Sequence, residues 1–349
     1  MMMDRVKSFI EDVGWPRVII ALFLLFLFAA APFVGVRVDT SLSNTLVRVG
    51  MNGVLVLAMV PMVQSGCGLN FGLPLGILAG LLGATTSIEL QMKGLGGFGF
   101  AMLVAVPIAA VFGFIYAQIL NRVKGEEMMI ATYVGFSSVA LMCMAWLLLP
   151  FQSPVMIWGY GGSGLRTTIS TEGFWRHVQS DFMHIQIGEF FYLPTGMFLF
   201  LALMILLVWA FFRTKTGTAI TAVGSTPEFA RASGINVDKM RTISVVFSTV
   251  LGAVGILVYQ QSFGFIQLYM GPLFMAFPAV AAILLGGASV NKATMVNVVV
   301  GTFLFQGILT MTPSVVNSLI QTDMSEVIRI MVSNGMILYA LTRRTRVKR

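Results

Sequence analysis

The residues with the most specific chemical pattern lie in the stretch 222–241, which has the sequence AVGSTPEFARASGINVDKMR. Thr226 is predicted to be the N-cap of a short helix, and Pro227 occupies its first position, where a missing N–H costs nothing. Glu228 complements the positive end of the helix dipole, and Gly234 is predicted to end the helix in the left-handed conformation. A helix of about eight residues is too short to be stable alone, so the pattern is suited to docking a partner.

Four neutral polar side chains fall within largely apolar stretches: Gln64, Asn70, Ser137 and Gln306. We expect them to face a central cavity, where amide and hydroxyl groups suit an uncharged polyol or a nucleoside better than an ion. The alternative is that they form hydrogen bonds between helices, each worth about 0.6 kcal/mol in a membrane. The sequence leaves both interpretations open.

Ionisable residues are scarce inside the apolar stretches. Asp323, Glu326 and Arg329 fall at the outer end of the last stretch, and Glu326 and Arg329 are spaced one helical turn apart. We interpret these two as a mutually neutralising pair that anchors the end of a helix. Proton- or sodium-coupled transport usually needs charged groups near the membrane midplane, so this placement disfavours an ion-coupled transporter.

Motifs for covalent catalysis and metal binding are missing from the sequence. It contains no GxxxxGK[ST] phosphate loop, no HExxH and no GxSxG, so the chain is not expected to be an enzyme or to hydrolyse ATP by that route. Cys67 and Cys143 are isolated within apolar stretches, which favours packing over a zinc site or a disulfide. We expect the chain itself to bind no cofactor and no metal.

Composition places the chain in a membrane. Of its 349 residues, 57% are hydrophobic and only 10% are charged, with a mean hydropathy of +0.89, whereas a soluble domain carries about a quarter charged residues. The net charge of +8 is spread between apolar runs and at both ends, unlike the single basic face of a nucleic-acid-binding protein. The sequence predicts an all-α, polytopic integral membrane protein surrounded by lipid.

Ten stretches approach the roughly 20 apolar residues that a helix needs to cross a bilayer. They span residues 18–36, 46–63, 73–88, 98–120, 128–149, 193–212, 242–260, 273–285, 293–311 and 324–341. These stretches form one predicted transmembrane domain over 18–342. An interfacial segment over 1–17 precedes it and a basic tail over 343–349 follows it.

The sequence 64–76, QSGCGLNFGLPLG, predicts a broken helix between the second and third stretches. In lipid, a break is tolerated only where the freed backbone groups face protein or a water-filled cavity. The alternative is that these glycines only permit close helix packing.

Basic residues orient the predicted spans. With the N-terminus in the cytoplasm, the external segments hold only five basic residues: Arg37, Arg48, Lys93, Arg166 and Arg176. The remaining Lys and Arg residues lie almost entirely in cytoplasmic segments, which follows the positive-inside rule. Both termini are therefore expected in the cytoplasm, with a long external loop over 150–192 and a long cytoplasmic loop over 213–241.

The stretch 222–241 resembles the coupling loop of permeases in the ribose, simple-sugar, nucleoside and branched-chain amino acid group of bacterial ABC importers. The matching residues are Gly224, Glu228, Ala230, Arg231, Gly234, Ile235, Asn236, Val237 and Lys239. The resemblance continues through 279–287 (AVAAILLGG) and 301–309, and covers residues 213–345. The chain departs from the group at Asn70 and Pro74, in the glycine-rich element, and at Phe277-Pro278; an acidic residue is common in both regions, so these departures leave the substrate open.

The resemblance implies a permease subunit in the bacterial cytoplasmic (inner) membrane that forms the path for a small polar solute, with a simple sugar or a nucleoside favoured. It also implies a second permease, identical or homologous, an external solute-binding protein, and separate subunits that bind ATP and Mg²⁺. The helix over 226–233 would couple those ATPase subunits to the spans. Its coupling residues would be Thr226, Pro227, Glu228, Ala230, Arg231 and Gly234.

Two alternatives stay open at this point. An ion-coupled secondary transporter of a small polar solute would need a proton or sodium gradient and no ATPase. A membrane-embedded enzyme or assembly factor would need a catalytic constellation that the sequence lacks. The dependence of uptake on an ATPase discriminates among the three.

The basic tail predicts the topology. A reporter fused after Arg349 is expected to report a cytoplasmic location, because five basic residues over 343–349 follow the last stretch. Paired fusions to a fluorescent protein that folds inside the cell and to a phosphatase that is active outside it provide the measurement. An external location would contradict both the orientation and the even number of spans.

Overall fold

Every predicted apolar stretch is helical in the computed structural model, which describes residues 15–158, 164–188, 190–320 and 324–342. The helices are α1 (Trp15–Ala30), α2 (Val38–Leu57), α3 (Met59–Gln64), α4 (Leu73–Glu89), α5 (Gly94–Arg122), α6 (Glu127–Leu148), α7 (Thr195–Arg213), α8 (Lys215–Ser225), α9 (Pro227–Ala232), α10 (Val237–Phe263), α11 (Gly271–Leu285), α12 (Met295–Ile320) and α13 (Ser325–Thr342). Most of the predicted interfacial segment, Asp323 and the basic tail lie outside the described residues.

Seven helical segments among the described residues are long and apolar enough to cross a membrane by length and composition. Helices α2 and α3 together form one of these segments, Val38–Gln64. Helices α4 and α11 are shorter apolar helices, as the sequence predicts for the third and eighth stretches. The all-α polytopic class is confirmed, and the predicted number of ten spans is approximate.

Helix α10 is the centre of the bundle. It packs against α5, α4 and α2, and α2 also packs against α12. Helices α1, α5 and α6 instead present large apolar side chains outward, among them Phe26, Leu103 and Leu148, which are 65%, 69% and 84% exposed. An apolar surface of this extent on a helical bundle fits contact with lipid.

Glycines on α4 let backbones touch. A Cβ added to Gly76 would lie 2.4 Å from the carbonyl oxygen of Thr249 on α10, and one added to Gly83 would lie 2.3 Å from that of Ala101 on α5. Small residues drive helix association in membranes in this way, because they allow close backbone approach. The glycines that follow the break therefore serve close packing, which was one of the two interpretations of that region.

The break itself is also present. Helix α3 ends at Gln64, and α4 begins at Leu73. Between them, Gly66 and Gly68 have φ angles of 76° and 79°, a conformation that glycine adopts at little cost. The chain is thus non-helical for eight residues inside the bundle, as the sequence predicts.

Serines on α10 satisfy carbonyl groups at the irregular end of the preceding helix. Ser248 donates its hydroxyl hydrogen to the carbonyl oxygen of Ala58 at 2.5 Å, and Ser244 donates to that of Pro61. Proline has no N–H and disturbs the regular hydrogen bonding of a helix. Neighbouring helices commonly supply such hydrogen bonds at membrane depth. The backbone just before the break is therefore held against the central helix.

Short strands are an addition to the all-helical prediction, at one end of the bundle. Strand β1 (Thr168–Ser170) pairs antiparallel with β4 (Phe265–Gln267), and β2 (Ile185–Ile187) pairs with β3 (Phe191–Leu193). The predicted loop over 150–192 is thus partly ordered by pairing, although residues 159–163 of its glycine-rich run lie outside the described residues.

Tyr192 and Glu89 attach this loop to the helices. The hydroxyl of Ser43 on α2 donates to the carbonyl oxygen of Tyr192 at 2.7 Å, and the Glu89 carboxylate accepts from the backbone N–H groups of Gln152 and Ser153. Burial, together with the Asp181 carboxylate, raises the pKa of Tyr192 to about 12. The phenol therefore stays protonated and donates to the carbonyl oxygen of Ser180 at 2.5 Å.

The opposite end of the bundle carries the segment predicted as a long loop over 213–241. Most of it is helical, because α8 and α9 occupy it and α10 begins at Val237, five residues before the predicted start. The side chain of Thr214 caps α8 by accepting from Gly217 N, and that of Asn236 caps α10 by accepting from Lys239 N. Arg17 on α1 donates to Gly287 O at this same end.

A buried ion pair joins three elements at this end. Arg241 on α10 pairs with Glu127 at the start of α6, and its Nε donates to the Cys67 sulfur, in the break, at 3.2 Å. The Arg241 and Glu127 side chains are only 8% and 15% exposed. Removing one partner of a buried pair leaves an uncompensated charge, which costs far more than losing an exposed pair.

We therefore expect Glu127→Ala to lower the free energy of unfolding by about 3–5 kcal/mol. Glu126→Ala is the matched control: Glu126 is the neighbouring exposed acid and makes no capping hydrogen bond to α6, so its loss should cost within about 0.5 kcal/mol. Unfolding of the purified chain in mixed micelles measures both. Equal stability of the two variants would show that the ion pair does not hold the break.

Candidate functional site

Helix α9 has the geometry predicted for the coupling segment, over slightly fewer residues. It covers Pro227–Ala232, with Pro227 at its first position and Glu228 in its first turn. Thr226 occupies the N-cap position, but its side chain makes no capping hydrogen bond. Gly234 follows the helix with a φ of +80°, and Ile235 N donates to Ala230 O at 3.0 Å. The left-handed stop is therefore present.

The two sides of α9 differ sharply. Ala230 is fully buried in a small cluster with Val223 of α8 and Val237 of α10. Glu228, Phe229 and Arg231 are exposed, and Phe229 is 68% exposed. One residue thus attaches α9 to the bundle, while an acid, an aromatic ring and a base project outward from it. An exposed aromatic residue beside charged groups is typical of a protein contact surface.

The helix before α9 touches the break directly. A Cβ added to Gly224 of α8 would lie 2.1 Å from the carbonyl oxygen of Gln64 and 2.9 Å from Gly66 N. No side chain separates the two backbones at this point. We call this approach of Gly224 to Gln64 and Gly66 the glycine contact. It connects the segment that carries α9 to the irregular part of the membrane-spanning bundle.

A large cavity opens between α2, α10, α11, α12 and α13. It has a volume of about 730 Å³, within the range of about 300–1,000 Å³ for sites of small molecules. We call it the outer cavity, because its lining lies towards the end that carries the strands. Its polar lining includes Asn44, Arg48, Asn52, Tyr259, Gln306 and Arg329.

The four predicted pathway residues do not come together. Gln306 is 4% exposed and lines the outer cavity. Asn70 is fully buried, where its Nδ2 donates to Ser248 Oγ at 2.8 Å and its Oδ1 accepts from the Tyr116 hydroxyl at 3.3 Å. Gln64 donates to the carbonyl oxygen of Ala293.

Ser137 is exposed on α6. Asn70 and Gln64 thus bond between elements, as the alternative interpretation describes. Of the four, only Gln306 is in the described lining of the outer cavity.

Arg48 was assigned to an external segment. In the structure it lies in the middle of α2, on the segment Val38–Gln64 that is long and apolar enough to cross a membrane, and it lines the outer cavity. The Glu326–Arg329 pair is present, with 2.9 Å between Arg329 Nη1 and Glu326 Oε2, and it too lines the outer cavity. The signal was available, because residue 48 falls inside the second predicted apolar stretch.

Residues 41–340 match the family described as "Branched-chain amino acid transport system / permease component". The chain is similar to the autoinducer 2 import system permease protein LsrD of Photorhabdus luminescens, with 25% identity over 285 residues that cover 80% of this chain and 77% of that protein. It is also similar to the nucleoside ABC transporter permease protein NupC of Lactococcus lactis subsp. cremoris, with 28% identity over 200 residues, 55% of this chain and 58% of that protein. No solved structure matches the chain.

The family match includes the break, α9 and every described residue that lines the outer cavity. The chain therefore belongs to this family of transport-system permease components.

Proposed function

We propose that this chain is the membrane-spanning subunit of an ATP-driven importer in a bacterial inner membrane, and that it carries a small polar solute of the sugar or nucleoside class. The observation that carries the proposal is the exposed surface of α9, attached to the bundle by Ala230 and followed by the left-handed Gly234. The names of the two relatives support the solute class, because one concerns autoinducer 2 import and the other nucleoside transport.

The energy comes from separate subunits in this proposal. The sequence has no phosphate-binding GxxxxGK[ST] loop, and ATP and Mg²⁺ are bound by partner ATPase subunits. Those subunits contact Glu228, Phe229 and Arg231 on α9. Their closure on ATP moves α9, and the glycine contact passes this motion from α8 to the break. Transport is then a shift between inward- and outward-open populations.

The orientation follows from the positive-inside rule. The end of the bundle that carries α9 also holds Arg122, Lys124, Lys215, Lys239 and Lys292, and we assign it to the cytoplasm. The N-terminal end of α1 lies at this end as well, through the hydrogen bond from Arg17 to Gly287. The outer cavity then opens towards the external solute-binding protein, and a second permease, identical or homologous, completes the path.

Two substitutions on α9 test the coupling role. We expect Glu228→Arg and Gly234→Val to reduce copurified ATPase and solute uptake by about tenfold or more, because a misplaced charge at a docking surface costs several kcal/mol and each 1.4 kcal/mol is tenfold. In Glu228→Arg, the unfavourable charge at the helix N-terminus costs only about 0.3–1 kcal/mol within the helix itself. In Gly234→Val, a β-branched residue is poorly tolerated at positive φ, so the end of α9 is disturbed. Membrane insertion should be unchanged, since α9 lies outside the predicted spans.

Matched controls lie at the opposite end of the bundle. Gly173 has a φ of +81° and, like Gly234, nothing within 4 Å of an added Cβ, so Gly173→Val imposes the same backbone strain away from α9. Glu172→Arg reverses an exposed acid there. Both controls should keep ATPase association. Full association and uptake in Glu228→Arg and Gly234→Val would refute the coupling role, and uptake driven by an ion gradient without any ATPase would favour a secondary transporter.

A further inference from the structure

The outer cavity contains a charged side chain on a segment that is apolar enough to cross a membrane. Arg48 lies ten residues after the start of α2 at Val38, so it is roughly 15 Å along the helix. It is partly buried, and its segment is one of those long and apolar enough to cross a membrane. Charged side chains inside spans are costly, face cavities or protein, and mark the paths of substrates or ions.

Positive charge exceeds negative charge among the described residues of the lining. Two guanidinium groups, of Arg48 and Arg329, face one carboxylate, of Glu326. Glu326 already binds Arg329 at 2.9 Å. The cavity therefore carries one net positive charge in its described part.

Both guanidinium groups have donors to spare. Within the described part of the chain, the Arg48 side chain makes no hydrogen bond and no ion pair. Its charge interacts with Arg329, Glu326 and Tyr259 only at longer range. The Nε of Arg329 is buried without a hydrogen-bond partner. Buried donors are normally satisfied, and a planar guanidinium matches the two oxygens of a carboxylate or phosphate.

The remaining lining suits the neutral part of a polar solute. Asn52 and Gln306 offer amide groups, Thr310 offers a hydroxyl group, and Phe263 and Phe274 offer aromatic rings. A bare inorganic anion would use the arginines and leave the amides and rings without a role. A solute with hydroxyl groups and one anionic group would use both parts of the cavity.

We propose that the outer cavity binds a small polyhydroxylated solute that carries one carboxylate or phosphate group, held by Arg48, with Asn52 and Gln306 binding its hydroxyl groups. This inference rests on the proposed transport function and narrows its solute from a neutral sugar or nucleoside to an anionic one. The phosphate of an anionic lipid shares this chemistry, so the experiment must separate the two sources.

The test uses the purified full-length chain in maltoside micelles, which contain no phosphate. Binding of D-gluconate and D-glucose, and of D-ribose 5-phosphate and D-ribose, is measured by calorimetry. We expect the anionic member of at least one pair to bind about tenfold or more tightly than its neutral partner, because a charge-assisted bidentate contact is gained. This preference is measured on the wild-type chain and needs no variant.

Variants then assign the preference to Arg48. In Arg48→Gln, the affinities for the anionic and the neutral sugar of the pair should lie within about threefold of each other. Arg48→Lys should keep part of the preference for the anionic sugar. Arg37→Gln is the control. Arg37 directly precedes α2 but is outside the described lining of the outer cavity, and it pairs with Asp39 at 3.1 Å. It should keep the full preference.

Several results would overturn the inference. Equal binding of neutral and anionic probes to the wild-type chain would do so, as would an anion preference that survives Arg48→Gln. Inorganic phosphate that binds as tightly as ribose 5-phosphate would show a simple ion site. Phosphatidylglycerol that binds through Arg48 while all four sugar probes fail would show a lipid site. If ATP drives uptake without any anion preference, the anionic solute is wrong but the proposed function stands. If uptake needs no ATPase, the proposed function itself is wrong.

Discussion

The proposed coupling depends on one backbone approach, between the end of α8 and the broken helix. Gly224 lies so close to the carbonyl oxygen of Gln64 that an added Cβ would be 2.1 Å from it. No side chain separates the two backbones, so a displacement of one presses directly on the other, because close-packed interiors transmit strain. In the proposed transport cycle, a force applied to α9 reaches the break through α8 and this contact. We regard this contact as the mechanical centre of the proposed transport cycle.

The break can serve this role because the central helix holds it. Ser244 and Ser248 of α10 donate to carbonyl groups just before it, and Asn70 within it donates to Ser248. The Arg241–Glu127 pair closes the same region from the α6 side. Because α10 also lines the outer cavity at Tyr259, one helix joins the break to the proposed solute site. Motion at the break can therefore change the outer cavity through α10.

The sequence predicted the helices well because lipid imposes a strong length and polarity rule on them. It predicted the shape of α9 because proline, an acid and glycine occupy positions with clear stereochemical meaning. It missed α8, whose apolar face is narrow and lies in a short, otherwise polar segment. It also missed the short strands, because each has only three residues and β1 pairs with the distant β4. It could not separate Asn70 and Gln64, which bond between elements, from Gln306, which lines a cavity, because that distinction depends on helix rotation. Arg48 was assigned to a loop because it is basic, and its position on α2 in the cavity lining depends on helix packing.

In the proposed cycle the glycine contact transmits ATP-driven motion, and the number of ATP molecules hydrolysed per solute imported in proteoliposomes measures how well it does so. Gly224→Ala should raise this ratio several-fold while the ATPase subunits stay bound, because the added methyl group separates α8 from the break. Gly99→Ala on α5 is the matched control, since its Cβ would have nothing within 4 Å, and it should leave the ratio unchanged. An unchanged ratio in Gly224→Ala, with normal uptake, would contradict the account.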